Sequence, residues 1–557
     1  MRNIYKFFVV AVLLLPIVAS ANTPDNDNAE LYREINTFNS IIRELNTYYV
    51  DTIDSEKLTE TALNAMLRTL DPYTVFIPKR DEDDIKTLQT GEYGGIGSVI
   101  MEKSKGNVYI SEPYKGSPAD RAGLRPGDRI IAIDGDSVVG LRSDKISNLL
   151  RGVQNTMLSV TVDRPYLEDS ILTVEFMREK IRVNPIEYYG VIRDSIGYIK
   201  LTTFNNNSAE DVERAVKELV ADERVKAIAL DLRGNGGGLM QDAIKIVGLF
   251  VPKGTMVLTV KGRTKESDRI YKTTDKPVAE DIPLAVIVGG NSASSSEIVA
   301  GAIQDLDRGV IIGNRSFGKG LVQEVRPLKY DRMLKLTTQK YHTPSGRNIQ
   351  AIDYFAKDEN GKAKAIPDSL THEFRTAIGR VVRDGSGVTP DVEVEYPDMN
   401  RLTFNIISDN WSFDYATKFR SENESIGAVE DFVITDSIFE DFKGFIDPER
   451  FNYDKSCEDA LANLVKIVER EGYMNKESKE KIKELELLLK HDLNKDLDQS
   501  RNEIERILAT DIVTRYYYSE GETIHSLKSD EAIERLVKLM GEDYRFKKIL
   551  TTVKGDK

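Results

Sequence analysis

Ser294 and Lys319 are the two side chains whose types and spacing could most directly do chemistry together. Ser294 lies in Gly289-Gly290-Asn291-Ser292-Ala293-Ser294-Ser295-Ser296-Glu297, between the apolar run Leu284–Val288 and the helical stretch Ile298–Asp305. The run has the length of a buried strand. A serine at such a strand-to-helix junction stands beside free backbone amides and the positive helix end, and both can stabilise an oxyanion. Serine is also the ordinary N-cap residue, so the cluster by itself reads first as a helix start. Lys319 stands in Ser316-Phe317-Gly318-Lys319-Gly320, where the two glycines let the backbone turn and the amine point inward. A lysine acts as a base only when neutral. Lowering its pKa from about 10.4 to about 7 costs roughly 4–5 kcal/mol, which desolvation must impose. Phe317, Leu321 and Val322 are expected to supply the apolar surroundings. Without such surroundings Lys319 is a surface charge, the ordinary reading of an arbitrary lysine; if neutral, it could take the Ser294 proton as the hydroxyl attacks a carbonyl.

Two other chemistries fit less well. Gly313-Asn314-Arg315-Ser316-Phe317-Gly318-Lys319 has the spacing of a phosphate-binding loop. Gly320 stands where Ser or Thr would hold magnesium, and Leu321–Leu328 alternates like a strand and contains Pro327 where a helix is required. No nucleotide or other cofactor is expected. Four histidines, His342, His372, His491 and His525, are scattered without paired spacing, so no metal site is expected. His342, beside Tyr341 in a strand-like run, reads as an ordinary strand residue rather than a base.

These residues need a large scaffold, and the chain has one. Its 557 residues exceed a single domain, and 40% hydrophobic with 30% charged residues is ordinary globular composition. The net charge of −14 makes nucleic acid a poor partner. Arg2 and Lys6, the apolar run Phe7–Val18 and Ala19-Ser20-Ala21 have the order of a secretory signal cleaved after Ala21. Export is therefore expected, to the periplasm and with membrane association left open. An uncleaved anchor is the competing reading. Cys457 is the lone cysteine, so no internal disulfide can form, and a buried or idle thiol is expected. Residues 22–87 read as a helical arm, with Ile35, Phe38, Ile41, Ile42 and Leu45 on one face and a stop at Leu70-Asp71-Pro72. The arm is a docking or dimerising element on this reading. Residues 167–398 alternate strands (Ile196–Leu201, Ala227–Leu232, Leu284–Val288) with helices (Ala209–Val220, Leu239–Phe250) in α/β fashion. Residues 399–557 read as a helical C-terminal domain.

Residues 88–166 resemble a PDZ domain. The likeness rests on Gly94-Gly95-Ile96-Gly97, the strand-like runs Val108–Ser111, Arg129–Ile133 and Leu158–Val162, and the turns Gly116-Ser117-Pro118-Ala119 and Ala122-Gly123-Leu124-Arg125-Pro126-Gly127-Asp128. Gly94, Gly95, Ile96 and Gly97 would form the loop that binds a terminal carboxylate through backbone amides. The core resembles the carboxyl-terminal processing proteases through Ser292–Glu297, Gln304-Asp305, Ser316–Gly320, Gln323, Leu336-Thr337-Thr338, Thr343-Pro344-Ser345-Gly346-Arg347 and the glycine-rich stretch Asp231–Gly238. The resemblance covers roughly residues 30–398 and implies a multidomain α+β protein. Its α/β peptidase core would be crotonase- or Clp-protease-like, with the PDZ domain and helical N- and C-terminal regions attached.

The resemblance also implies roles. Ser294 would be the nucleophile, Lys319 the general base, and Gln323 the residue that holds the lysine. The oxyanion hole would use the Ser295 amide and one from Gly237 or Gly238. Asp305 would support the site without performing chemistry. The family commonly has alanine where Ser295 stands, and three consecutive serines leave the nucleophile's register open. Residues 351–384 match poorly and read as an inserted surface loop. The expected partners are polypeptides with accessible C-termini, with a homodimer and a regulatory or adaptor protein left open. The competing readings are a non-catalytic exported tail-binding scaffold and a histidine-dependent peptidase.

Overall fold

The computed structural model describes residues 25–359, 361–396, 398–452, 456–489, 491–541 and 545–551. The expected signal segment, residues 1–21, lies outside them. The chain divides into two units at Phe76. The first holds α1 (Asp25–Tyr48) and α2 (Ser55–Leu67). On α1 the stripe Leu31, Ile35, Phe38 and Ile41 is exposed. Asp54 caps α2 by accepting the Lys57 N–H, and beyond its end Asp71 accepts the N–H groups of Tyr73 and Thr74 at 2.8 and 2.7 Å, closing a tight turn.

The second unit begins with α3 (Glu82–Thr90), which ends at Gly91 with φ 69°. A six-strand antiparallel sheet follows, in the order β1 (Ser98–Ser104), β2 (Asn107–Pro113), β3 (Arg129–Ile133), β4 (Met157–Asp163) and β5 (Ile171–Met177), with the short strand Asp136–Ser137 also paired to β3 and α4 (Ser143–Leu150) packed against β1. Alternation buries Leu158, Val160 and Val162 of β4 with Ile110 of β2 and Ile146 of α4. β1 lies at the sheet edge. The sheet runs past residue 166, where the sequence reading ended this domain, because β5 pairs with β4 along its whole length. The exposed alternate residues of β5 gave it too weak an apolar signal to read.

The core of residues 186–393 is built on a six-strand sheet. It contains β6 (Ile186–Ile192), β7 (Ile196–Leu201), β8 (Ala227–Asp231), β9 (Leu284–Val288), β10 (Val310–Gly313) and the short edge Val392–Glu393. All its pairings are parallel except that of β6 with β7. Ile228, Leu230, Val286 and Val288 face α5 (Ser208–Ala221), α6 (Met240–Gly248) and α7 (Ser295–Asp305). Ala229, Ala285 and Ile287 face the other way, onto Ile533 and Leu536. Burial on both faces is why β8 and β9 read as unbroken apolar runs. A second sheet contributes the hairpin β11 (Leu321–Leu328) and β12 (Arg332–His342). β11 is the strand expected where a phosphate-binding loop would need a helix. Residues 351–384 are not a plain loop but two small hairpins, Ile352–Lys357 with Ala363–Ala365 and Glu373–Arg375 with Val381–Arg383.

The C-terminal region is helical, with α8 (Arg501–Ser526) and α9 (Glu531–Gly541) as its last long elements. It is not detached from the core, because α9 supplies the residues that cover the sheet's second face. Cys457 is exposed rather than buried.

Candidate active site

β9 ends at Val288, and residues 289–293 turn the chain into Ser294, whose backbone has φ 56° and ψ −111°. A non-glycine residue in that region stores strain of about 1–3 kcal/mol, which the surroundings must hold in place. They do so by spending the neighbouring hydroxyls. Ser292 Oγ donates to the Leu232 carbonyl at 2.7 Å, Ser295 Oγ to Gly238 O at 2.9 Å and Ser296 Oγ to Asn235 O at 2.8 Å. Those three serines are buried, whereas Ser294 is only partly so.

The glycine-rich loop after β8 closes on this turn. Asn235 is fully buried; its Nδ2 donates to Leu201 O and its Oδ1 accepts the Gly237 N–H, both at 2.9 Å. A Cβ on Gly237 would stand 2.8 Å from Ser294 Cβ and 3.0 Å from the Ser295 nitrogen. The loop can approach the serine this closely only because glycine occupies that position. Of the two candidate oxyanion amides on the loop, Gly237's is therefore committed to Asn235, while Gly238 follows with φ 146°.

Glu297, fully buried in the first turn of α7, links the serine turn to the lysine loop. Its Oε2 accepts the Ser294 N–H at 2.8 Å and the Lys319 N–H at 2.9 Å. Its Oε1 accepts from Ser316 Oγ and the Gly318 N–H, both at 2.6 Å. Burial pushes this carboxyl up from its ordinary range, and the four donors pull it back only in part. One carboxylate thus sets the register between two segments twenty-odd residues apart. The sequence reading gave Glu297 no role, although Ser294-x-x-Glu297 has the spacing of a capping box that could have flagged it.

Ser294, Ser295, Gly237, Gly238, Lys319 and Gln323 line one cavity of about 420 Å³. Leu239, Ile298, Leu321 and Val322 give it an apolar wall, with Ile85 and Leu88 reaching in from α3. Phe317, expected to shield Lys319, is instead 43% exposed, since the turn that directs Lys319 inward points its neighbour outward. Gln323 pairs across the hairpin with Thr337 and donates from Nε2 to Thr337 Oγ1 at 3.2 Å. Tyr341, buried on β12, donates its hydroxyl to the Ser294 carbonyl at 3.3 Å. Burial, then the Glu297 charge, pushes this phenol well above its ordinary value, so it stays a neutral donor. The sequence reading missed this contact too. Alternation along β12 turns His342 to the opposite face, outside the cavity, where burial and Lys261 lower its pKa.

Asp305, at the end of α7, pairs with Arg347 at 2.8 Å, with both side chains fully buried. It also accepts from Thr343 Oγ1 at 2.5 Å and the Ser345 N–H at 3.0 Å. These contacts anchor the 343–347 turn. Gly95, Ile96 and Gly97 lead from the strand Glu92–Gly95 into edge strand β1. Ile96 is buried, so only its backbone can meet a ligand, and Gly97 lies against Ser117 with φ 71°.

The sequence matches the profile "Peptidase family S41" over residues 195–358, "PDZ domain" over 109–164 and "Probable PDZ-protease, C-terminal helical domain" over 402–540. It is 35% identical over 352 residues to a carboxy-terminal-processing protease of Bartonella bacilliformis, covering 62% of this chain and 80% of that protein. It is 30% identical over 485 residues to a "Probable CtpA-like serine protease" of Staphylococcus aureus (strain COL), covering 85% of each. Among solved structures, the photosystem II D1 C-terminal processing protease is 27% identical, covering 65% of this chain and 93% of that one, with a TM-score of 0.36. The PDZ domain of a carboxy-terminal protease from Vibrio cholerae, solved with a peptide, is 31% identical, covering 16% of this chain and 98% of that one, with a TM-score of 0.15. The chain belongs to peptidase family S41, as a carboxy-terminal-processing serine protease with a PDZ domain.

Proposed function

We propose that the protein is an exported endopeptidase that works through a Ser294–Lys319 dyad and selects substrates by their C-terminal tails. The observation that carries this reading is the double use of Glu297, which binds the Ser294 and Lys319 amides on one oxygen at 2.8 and 2.9 Å. Of the consecutive serines, Ser294 has the strained backbone and is the least buried, while Ser295 and Ser296 spend their hydroxyls on carbonyls.

In the proposed reaction, neutral Lys319 takes the Ser294 proton as Oγ attacks the scissile carbonyl. The Ser295 and Gly238 amides hold the oxyanion, each worth about 3–4 kcal/mol. Lys319 then gives the proton to the leaving amine, and water releases the acyl group by the same route. Gln323, whose nitrogen is engaged by Thr337, has a carbonyl oxygen to offer the lysine. The substrate tail adds to the free edge of β1, with its carboxylate on the Gly94–Gly97 backbone. Val99 on β1 and Leu149 on α4 are exposed, and on this reading they would favour an apolar last residue. The exposed stripe of α1 is the surface on which a homodimer would form.

Digestion of an unstructured protein by wild type, Ser294→Ala, Lys319→Ala and His342→Ala tests the reading. Loss in the first two and retention in the third is expected. Activity surviving in Ser294→Ala, or lost in His342→Ala with the fold intact, would overturn it. The rate should also fall on acidification as Lys319 takes a proton, and a rate flat between about pH 5 and pH 9 would count against a lysine base.

A further inference from the structure

The glycine-rich loop is held at both ends, and one of its holders belongs to the C-terminal region. At the loop's start Asp231, almost fully buried, accepts from Tyr198 Oη at 2.7 Å and from the Arg233 backbone N–H at 2.9 Å. The Arg233 guanidinium folds back onto the same carboxylate, with Nε 3.0 Å from Oδ1. Its Nη2 then reaches Asp530 Oδ2 at 2.6 Å, and its Nη1 donates to Tyr396 Oη at 3.2 Å. Asp530 stands immediately before α9, and its other oxygen accepts the Ala532 and Ile533 N–H groups at 2.9 and 3.1 Å. The side chain is 10% exposed and its arginine partner 24%.

A purely packing role for α9 would not need this pair, because Ile533 and Leu536 already seal the sheet face. The pair acts on the segment that runs from Arg233 through Gly234 and Asn235 to Gly237, the residue in contact with Ser294. Leu232, between the two paired residues, also accepts the Ser292 hydroxyl of the serine turn at 2.7 Å. Arg233 is thereby linked through Leu232 to the serine turn and through Gly234–Gly237 to the residue beside Ser294.

We infer that Asp530 is a positioning residue for the catalytic centre, so that the C-terminal helical region completes the oxyanion loop as well as packing on the core. The inference rests on the Ser294 mechanism above. Ser294→Ala tests that mechanism separately, by abolishing turnover whatever Asp530 does.

Asn and Ser cap helices about as well as Asp, so Asp530→Asn and Asp530→Ser delete the charge while keeping the cap. Asp530→Glu keeps the charge and weakens the cap. Steady-state kcat and KM on an unstructured peptide would be measured for the full-length variants well below their melting temperatures. Tail-peptide binding would be measured in the Ser294→Ala background. For the Asn and Ser variants kcat is expected to fall at least about tenfold, with KM and tail binding within about twofold of wild type and little change in Tm. Asp530→Glu should recover most of kcat despite a lower Tm. The inference is overturned if the Asn and Ser variants keep kcat within about twofold of wild type, or if kcat merely follows Tm across the three variants.

Discussion

Glu297→Gln tests the link between the serine turn and the lysine loop with a change of one atom. Each carboxylate oxygen accepts two donors: Ser294 and Lys319 N–H on one, Ser316 Oγ and Gly318 N–H on the other. Glutamine turns one oxygen into an NH2 group, so two buried donors lose their acceptor and face a donor instead. An unmet buried donor costs about 1–3 kcal/mol, which puts the total at about 2–6 kcal/mol. The Ser294 backbone is strained and held from outside, so the loss should appear first as movement of that turn. The expected result is a fall in kcat of at least about thirtyfold, the equivalent of about 2 kcal/mol, with a lowered Tm. Tail-peptide binding to the PDZ domain should not change. The assay pairs peptide turnover with calorimetry and tail binding on the same preparation. Wild-type turnover in a folded Glu297→Gln protein would refute the reasoning. The same pair carries a pH signature. Burial holds the folded-state carboxyl above the ordinary glutamate value, so the folded state takes up this proton before the unfolded chain does. The unfolding free energy of wild type minus that of Glu297→Gln should therefore grow as pH is lowered toward 4.5, and a shrinking difference would contradict the burial argument.

Three further substitutions separate the parts of the site. Gly237→Ala places a Cβ 2.8 Å from that of Ser294 at a backbone with φ 101°, and peptide turnover should fall at least about a hundredfold; a mild effect would show that the loop does not abut the nucleophile. Ser295→Ala removes one hydrogen bond to Gly238 O but keeps the backbone amide, so kcat should stay within about tenfold of wild type, and abolition would shift the nucleophile's register to 295. Asp305→Asn breaks the buried pair with Arg347 and should cost about 3–5 kcal/mol of stability by denaturant titration, with kcat at low temperature affected far less.

The residues proposed to do chemistry were more legible than the residues that hold them. Ser294 and Lys319 stand in turns marked by glycine, and the strands on either side are continuous apolar runs because the sheet is covered on both faces. Glu297 and Tyr341 were not legible as site residues. A capping glutamate and a strand tyrosine look ordinary until the fold brings the lysine loop and the serine carbonyl to them. Phe317 was misread because an apolar residue next to a lysine in sequence need not shield it when the chain turns between them. The packing of α9 against the sheet depends on contacts more than two hundred residues apart, and no local pattern in Glu531–Gly541 distinguishes it from a helix within its own domain.

Mapping a trapped acyl-enzyme tests the central claim most directly. A slowly deacylating peptide ester would be mixed with wild type and with Lys319→Ala near neutral pH, and the adduct located by intact mass and peptide mass spectrometry. The account predicts one adduct, on Ser294, formed rapidly by wild type and at least about a thousandfold more slowly without the lysine. An adduct on Ser295 or Ser296, or one that forms equally fast in Lys319→Ala, would contradict it.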